Sequence, residues 1–83
     1  MRKQDIENYI NNSQYKWEYT KIDLEMVKGV GWKTKVNDEE AYIMINTNGG
    51  IDVLITLDGL TYHNKDVGKI EFLDEVLKYM EKR

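Results

Sequence analysis

The chain has 83 residues, a formal charge of −3 at pH 7, a hydrophobic content of 41% and no cysteine. A chain of this length builds one small core, so we expect a single domain over residues 1–83, and the hydrophobic content argues against disorder. The lack of cysteine excludes disulfides, catalytic thiolates and Cys-ligated zinc. Because no apolar run resembles a signal peptide or reaches the ~18 residues of a membrane span, we expect a cytoplasmic protein without membrane contact.

The N-terminal segment predicts a short helix over residues 3–12. Ile6, Tyr9 and Ile10 recur at helical spacing and form one narrow apolar stripe. A helix this short needs tertiary packing to persist, so we expect the stripe to contact the rest of the domain.

Residues 15–28 alternate between apolar and polar side chains, which is typical of strands. The apolar residues occupy odd positions up to Tyr19 and even positions from Ile22 onward. This change of phase predicts a bulge or bend near Thr20-Lys21, or else a segment whose two halves serve opposite faces.

The glycine-rich stretch Gly29-Val30-Gly31 predicts the turn of a hairpin. A three-residue loop places Leu24 opposite Val36 and Met26 opposite Thr34. We prefer this register because it groups apolar partners across the two strands.

Residues 41–62 predict a β-meander, because strand-like runs flank Asn48-Gly49-Gly50 and a second turn dipeptide, Asp58-Gly59, follows. Two-residue loops at both turns decide which side chains share a face. The expected core face carries Tyr42, Met44, Val53, Ile55 and Leu57, with Tyr62 opposite Ile55. The expected second face carries Ala41, Ile43, Ile45, Leu54, Thr56, Thr61 and His63, with Asp52 near one end.

Residues 68–82 predict a second helix, with Asp66 as its candidate N-cap. The fold class is therefore α+β: a short N-terminal helix, an antiparallel β-meander of four to five strands, and a C-terminal helix packed on one sheet face. The first helix either lies beside the second or covers part of the other face.

The second sheet face gives the main functional signal. Two short helices do not easily cover both sides of such a sheet, so its large aliphatic residues predict an exposed apolar patch. Aromatic residues are enriched at the centres of interfaces, and a row of them precedes the first glycines. The candidate interaction residues are Ile43, Ile45 and Leu54, joined by Tyr15, Trp17 and Tyr19. The alternative is that the first helix or the bent aromatic segment buries the patch.

A basic hairpin gives a second candidate site. Residues 28–35 carry three lysines and no acidic residue. Backbone amides at a Gly-rich turn can bind phosphate, and a tryptophan can stack on a base. The candidate contacts with an anion or a nucleic acid are Lys28, Trp32, Lys33 and Lys35. The plainer interpretation is a hairpin whose lysines protect a sheet edge from aggregation.

His63 is the single histidine of the chain. A general base at this position would need Asp58 or Asp66 to orient it, but the only serine lies far away in sequence. The three residues also do not match a zinc or calcium spacing. We therefore predict no catalytic residue, no metal site and no cofactor.

Together these features predict a small, non-catalytic interaction module of the regulator or inhibitor type. It would bind a protein partner, or itself as a homodimer, through the sheet face or its edge. The alternative function is nucleic-acid or anionic-ligand binding through the basic hairpin, which the net negative charge does not favour. An enzyme that uses His63 is the third hypothesis.

Overall fold

The computed structural model describes residues 1–83 and consists of five strands between two helices. The elements are α1 (Lys3–Asn11), β1 (Glu18–Leu24), β2 (Val27–Val36), β3 (Glu39–Ile45), β4 (Ile51–Leu57), β5 (Leu60–Asn64) and α2 (Glu71–Glu81). The strands form one antiparallel sheet in the order β1-β2-β3-β4-β5. The predicted α+β class, the meander and both helices are confirmed. Neither helix is long and apolar enough to cross a membrane.

The first hairpin turns at Glu25-Met26, before the glycines that predicted its turn. Leu24 pairs with Val27, so the predicted register with Leu24 opposite Val36 is wrong. Glu25 adopts a φ of 44°, a left-handed conformation that glycine favours. Because the residue here is glutamate, the sequence did not indicate a turn at this position. β1 pairs with β2 without interruption, so the predicted bulge is absent and the two-face alternative is correct.

Gly29 and Gly31 lie inside β2 and allow a close approach on one face of the sheet. A Cβ atom on Gly31 would lie 1.9 Å from the carbonyl oxygen of Ile43, and one on Gly29 would lie 2.8 Å from the Met44 sulfur. Because β2 has no side chain at these two positions, Ile22 of β1 reaches across it and joins Met44 in a buried cluster.

The hairpin between β3 and β4 is built around the side chain of Asn46. Its Oδ1 accepts the backbone N–H groups of Asn48 and Gly50, each at 2.9 Å. The loop therefore takes five residues, with Ile45 paired to Ile51, and the predicted two-residue loop is wrong. Because of this register, even positions of β3 share a face with even positions of β4, which reverses the predicted parity.

The β4–β5 hairpin forms as predicted. Leu57 pairs with Leu60 and Ile55 pairs with Tyr62 around a two-residue turn. Both turn residues, Asp58-Gly59, have positive φ (53° and 81°), as a type I′ turn requires.

Both helices pack on the same face, so the molecule has two layers. Ile6 of α1 and Leu73 of α2 are buried with Ile43 and Val53 of the sheet. The two helices also contact each other, since the Tyr9 hydroxyl donates to an Asp74 carboxylate oxygen at 2.7 Å. The alternative in which α1 lies beside α2 is therefore the correct one.

The predicted core face is half right. Val53, Ile55 and Leu57 face the helices as predicted. Leu77 and Met80 of α2 cover Ile55 and Leu57. Tyr42 and Met44 were predicted on this face but lie on the opposite one, where no helix packs, because the β3–β4 register differs from the predicted one. Ala41, Ile43 and Ile45, predicted on the opposite face, lie toward the helices instead.

The face without helices has its own buried cluster. Tyr42, Met44 and Leu54 are nearly inaccessible there, together with Ile22. Leu24 and Val27 pack against them from the first hairpin. Side chains of neighbouring strands bury this cluster, because the glycines of β2 leave room for Ile22 of β1 to reach Met44.

The C-terminal end of α2 is held by a residue from a turn. The helix begins at Glu71, so the predicted N-cap Asp66 is wrong; Asp66 instead has a φ of 52° and accepts from the Asn46 amide at 2.8 Å. At the other end, Asn37 of the β2–β3 turn donates to the carbonyl oxygens of Met80 (3.1 Å) and Glu81 (3.0 Å). These bonds satisfy carbonyls that a helix end leaves free.

Candidate interaction surface

The three aliphatic residues of the predicted interaction patch do not form one exposed surface. Ile43 and Leu54 are both 0% exposed, and they lie on opposite faces of the sheet. Ile45 is half-buried and packs against the core beneath the helices. The predicted patch on the second face is therefore already covered within one chain.

The predicted aromatic row is divided between a loop and a strand. Tyr15 and Trp17 precede β1, are half-buried, and pack against the buried cluster that contains Leu77 and Met80 of α2. The Trp17 indole N–H donates to the Ser13 hydroxyl at 3.1 Å. Tyr19 lies on the helix side of β1, is exposed, and meets the Trp32 ring edge-on at 5.1 Å.

The structure also separates the four residues of the basic hairpin. Lys28 and Trp32 lie on the helix side of β2, whereas Lys33 and Lys35 lie on the other side. Trp32 is buried in the core and is not available to stack on a base. Lys33 is paired with Glu40, with 2.6 Å between Nζ and Oε2.

His63 lies beside Asp52, a partner that the sequence analysis did not assign to it. Nε2 of His63 and Oδ2 of Asp52 are 2.7 Å apart. Oδ1 of Asp52 accepts the Asn46 amide at 2.9 Å and the Asp66 backbone N–H at 3.0 Å. One signal could have found this pair: the β4–β5 register places Leu54 opposite His63, which puts Asp52 on the diagonal.

The environment of Asp52 acts on its pKa in two directions. Burial alone would raise the pKa, since the residue is almost inaccessible. The hydrogen bonds from the Asp66 backbone, Asn46 and His63 outweigh burial and hold the pKa of Asp52 below its ordinary value. A charged Asp52 therefore joins the β3–β4 loop to the segment after β5.

A groove of about 780 Å³ opens next to Asp52, at one end of the sheet. Its lining includes three lysines, Lys21, Lys28 and Lys65. Nζ of Lys28 lies 3.9 Å from Oδ1 of Asp23. The lining contains no serine and no cysteine. The hydrogen bonds of Asp52 and His63 place the pair between the β3–β4 loop and the segment after β5.

β5 is the less protected of the two sheet edges. Its sequence Leu60–Asn64 has no acidic residue, lysine, arginine or proline, and it pairs only with β4. Leu60 and Tyr62 are 60% and 48% exposed. A neutral edge with exposed apolar side chains is a template for another strand.

Tyr79 adds to this surface from α2. It is 55% exposed and lies four residues before Arg83, which donates to Asp58 in the turn before β5 at 2.6 Å. This side of α2 therefore faces the β5 side of the molecule. We call Leu60–Asn64 together with Tyr79 the β5 edge surface.

The backbone groups of Thr61 and His63 point away from the sheet. The Leu57–Leu60 pair closes a type I′ turn and is hydrogen-bonded, and bonded pairs alternate along an antiparallel ladder. Tyr62 is therefore bonded to β4. The N–H and C=O groups of its two neighbours have no strand partner.

The opposite edge of the sheet is charged. β1 carries Glu18, Lys21 and Asp23, all exposed, and Lys21 is the central residue of the strand. Charged side chains on an edge strand discourage pairing with another chain. The two edges therefore differ in their capacity to bind a strand.

No protein-family model matches the chain, and no curated protein or solved structure matches it either.

Proposed function

We propose that this protein is a small, non-catalytic interaction module that binds a protein partner through the β5 edge surface. The observation that supports this most directly is a neutral edge strand with outward backbone groups at Thr61 and His63. Its cytoplasmic location stays a prediction from the sequence.

The binding mode that fits this surface is the addition of a sixth strand to the sheet. An extended segment of the partner would bond to the backbone of Thr61 and His63, and its alternate side chains would contact Leu60 and Tyr62. Tyr79 would contact the same segment from above the sheet. The sheet-face mode is not part of the proposal, because Ile43 and Leu54 are buried within one chain.

Binding of an anion or a nucleic acid has less support. Trp32 is buried, and Lys28 and Lys33 each have an acidic neighbour within 4 Å. The predicted contact surface would have to be assembled from opposite faces of β2.

A photo-crosslinking amino acid in place of Tyr62 tests the proposal in cells that make the protein. We expect a discrete protein adduct at position 62, because that side chain lies on the edge that the partner strand covers. The matched control is the same replacement at Tyr19, an equally exposed aromatic residue on the charged edge, which should give no discrete adduct. Adducts are identified by mass spectrometry.

Thr61→Pro provides a second control. Proline removes an N–H group that points away from the sheet, and edge strands tolerate proline at such positions. We expect the variant to fold and the adduct at position 62 to disappear. No adduct at position 62, or one that Thr61→Pro leaves unchanged, would contradict the proposed function.

A further inference from the structure

We infer that the strand which occupies the β5 edge surface is β5 of a second copy of this chain. This inference rests on the proposed function and names its partner. Two sheets would join through antiparallel β5 strands, with the two-fold axis next to Tyr62 and the helices of both copies on one side of the continuous sheet.

The positions of the free backbone groups fix the register. Thr61 and His63 point outward, so two copies bond only where outward residues face each other. One register alone pairs the whole strand Leu60–Asn64 with itself. In that register Thr61 of each copy bonds to His63 of the other, and Tyr62 faces Tyr62. Registers shifted by two residues overlap over only part of the strand.

The side chains also fit this register. Tyr62 lies in a non-bonded pair, the type in which opposite side chains are closest, and both rings are half-exposed in the single chain. Aromatic cross-strand pairs stabilise antiparallel sheets. Leu60 faces Asn64, so no two like charges are opposed along the strand.

The same two-fold pairing between two β1 strands, at the opposite edge of the sheet, is unfavourable. Full antiparallel pairing of Glu18–Leu24 with itself places Lys21 directly opposite Lys21. Like charges in that position destabilise a sheet. The chain therefore has one edge that accepts a copy of itself and one that repels it, which gives a closed dimer and no fibre.

A single-cysteine experiment tests the register, because the natural chain has no cysteine. Tyr62→Cys places two sulfur atoms across a non-bonded pair, where Cα atoms are about 4.5 Å apart and a disulfide fits. We expect mild oxidation of a dilute solution to give a disulfide-linked dimer. Tyr19→Cys on the β1 edge is the control and should stay monomeric.

Thr61→Cys distinguishes this register from its neighbours. In the proposed dimer the two residues at position 61 are two positions out of register, so their Cα atoms lie about 8 Å apart, too far for a disulfide. A register centred on Thr61 would link this variant instead of Tyr62→Cys. Cross-linking at position 61 and not at 62 would overturn the proposed dimer.

Sedimentation equilibrium on the unmodified chain gives the second measurement. We expect a monomer–dimer equilibrium, and Tyr62→Lys should weaken dimerisation by about tenfold or more, because it puts two lysines opposite each other at the axis. Lys21→Gln on the other edge should leave the dimer unchanged. A strict monomer up to millimolar concentration, or a series of larger polymers, would contradict the dimer.

The two proposals fail in distinguishable ways. If the chain is monomeric but position 62 cross-links to a different protein in cells, the dimer is wrong and the proposed function stands. If position 62 cross-links to nothing and the chain is monomeric, both are wrong.

Discussion

Asp52 is almost inaccessible to solvent, yet three hydrogen bonds keep its carboxylate charged. Its position beside His63 links three segments that are distant in sequence: the β3–β4 loop, β4 and the end of β5. The Asp52 carboxylate thus holds Asn46, whose side chain forms the five-residue loop that sets both faces of the sheet.

The depressed pKa of Asp52 predicts a pH-dependent contribution to stability. In the unfolded chain the pKa of Asp52 is about 4, and in the folded protein it is lower. The stabilisation is therefore complete above the unfolded pKa and is lost as the pH falls through the folded pKa. We expect Asp52→Asn to lower the free energy of unfolding by about 2 kcal/mol at pH 7, and by less below about pH 4. Urea unfolding at both pH values measures this, and an equal difference at both would contradict it.

Alanine substitutions at Gly31 and Gly29 should lower the free energy of unfolding by unequal amounts. At Gly31 a Cβ would overlap the Ile43 carbonyl, which is backbone and cannot move aside, so we expect Gly31→Ala to destabilise by more than about 3 kcal/mol. At Gly29 the neighbour is the flexible Met44 side chain, so we expect about 1 kcal/mol. Thermal unfolding measures both changes.

Gly68→Ala is the matched control for the glycines of β2. Nothing lies within 4 Å of a Cβ at that position, and its φ is not positive. We expect almost no loss of stability there. Equal costs at all three glycines would mean that the close approach across β2 is not what these residues provide.

At the level of elements, the β2–β3 turn acts as the C-terminal cap of α2. Asn37 adopts a φ of 51°, which asparagine and aspartate tolerate, and its amide donates to two helix carbonyls. We expect Asn37→Asp to destabilise the protein by about 1–2 kcal/mol, because it removes both donors and puts a negative charge at the negative end of the helix. Chemical denaturation measures the loss.

Asp38→Asn serves as the control for this cap. Asp38 is the next residue of the same turn, with a φ of 66°, and is exposed. Its replacement should change stability by a few tenths of a kcal/mol at most. If both variants lose the same stability, the turn conformation and not the cap is responsible.

For the whole molecule, the element order and the last hairpin could be predicted, because their signals are local. The Asp58-Gly59 dipeptide specifies its turn by itself, and the apolar stripe of α2 gives its buried face directly. The face assignment could not be predicted, because the β3–β4 register depends on Asn46, whose side-chain bonds involve residues on three segments. Without that register, Leu54 and Ile43 could not be assigned to opposite faces.

The proposed interaction surface lies at a different place from the sheet face that the sequence predicted. Counting apolar residues indicated more hydrophobic surface than two helices cover, but it could not show that the glycines of β2 let the sheet bury Tyr42 and Leu54 itself. The β5 edge could be identified from the strand order and the charge of each edge strand alone. Both follow from a meander, in which the first and last strands are always the edges.

The pairing of every strand with its neighbour in sequence also sets the order in which the chain can acquire its structure. The hairpins close over short distances, which is typical of fast folding. The contact between Tyr9 and Asp74, in contrast, spans 65 positions. During synthesis from the N-terminus, α1 can contact α2 only after Asp74 has left the ribosome. The meander is thus complete before α2, and until α2 docks, Ile55 and Leu57 have no helix over them.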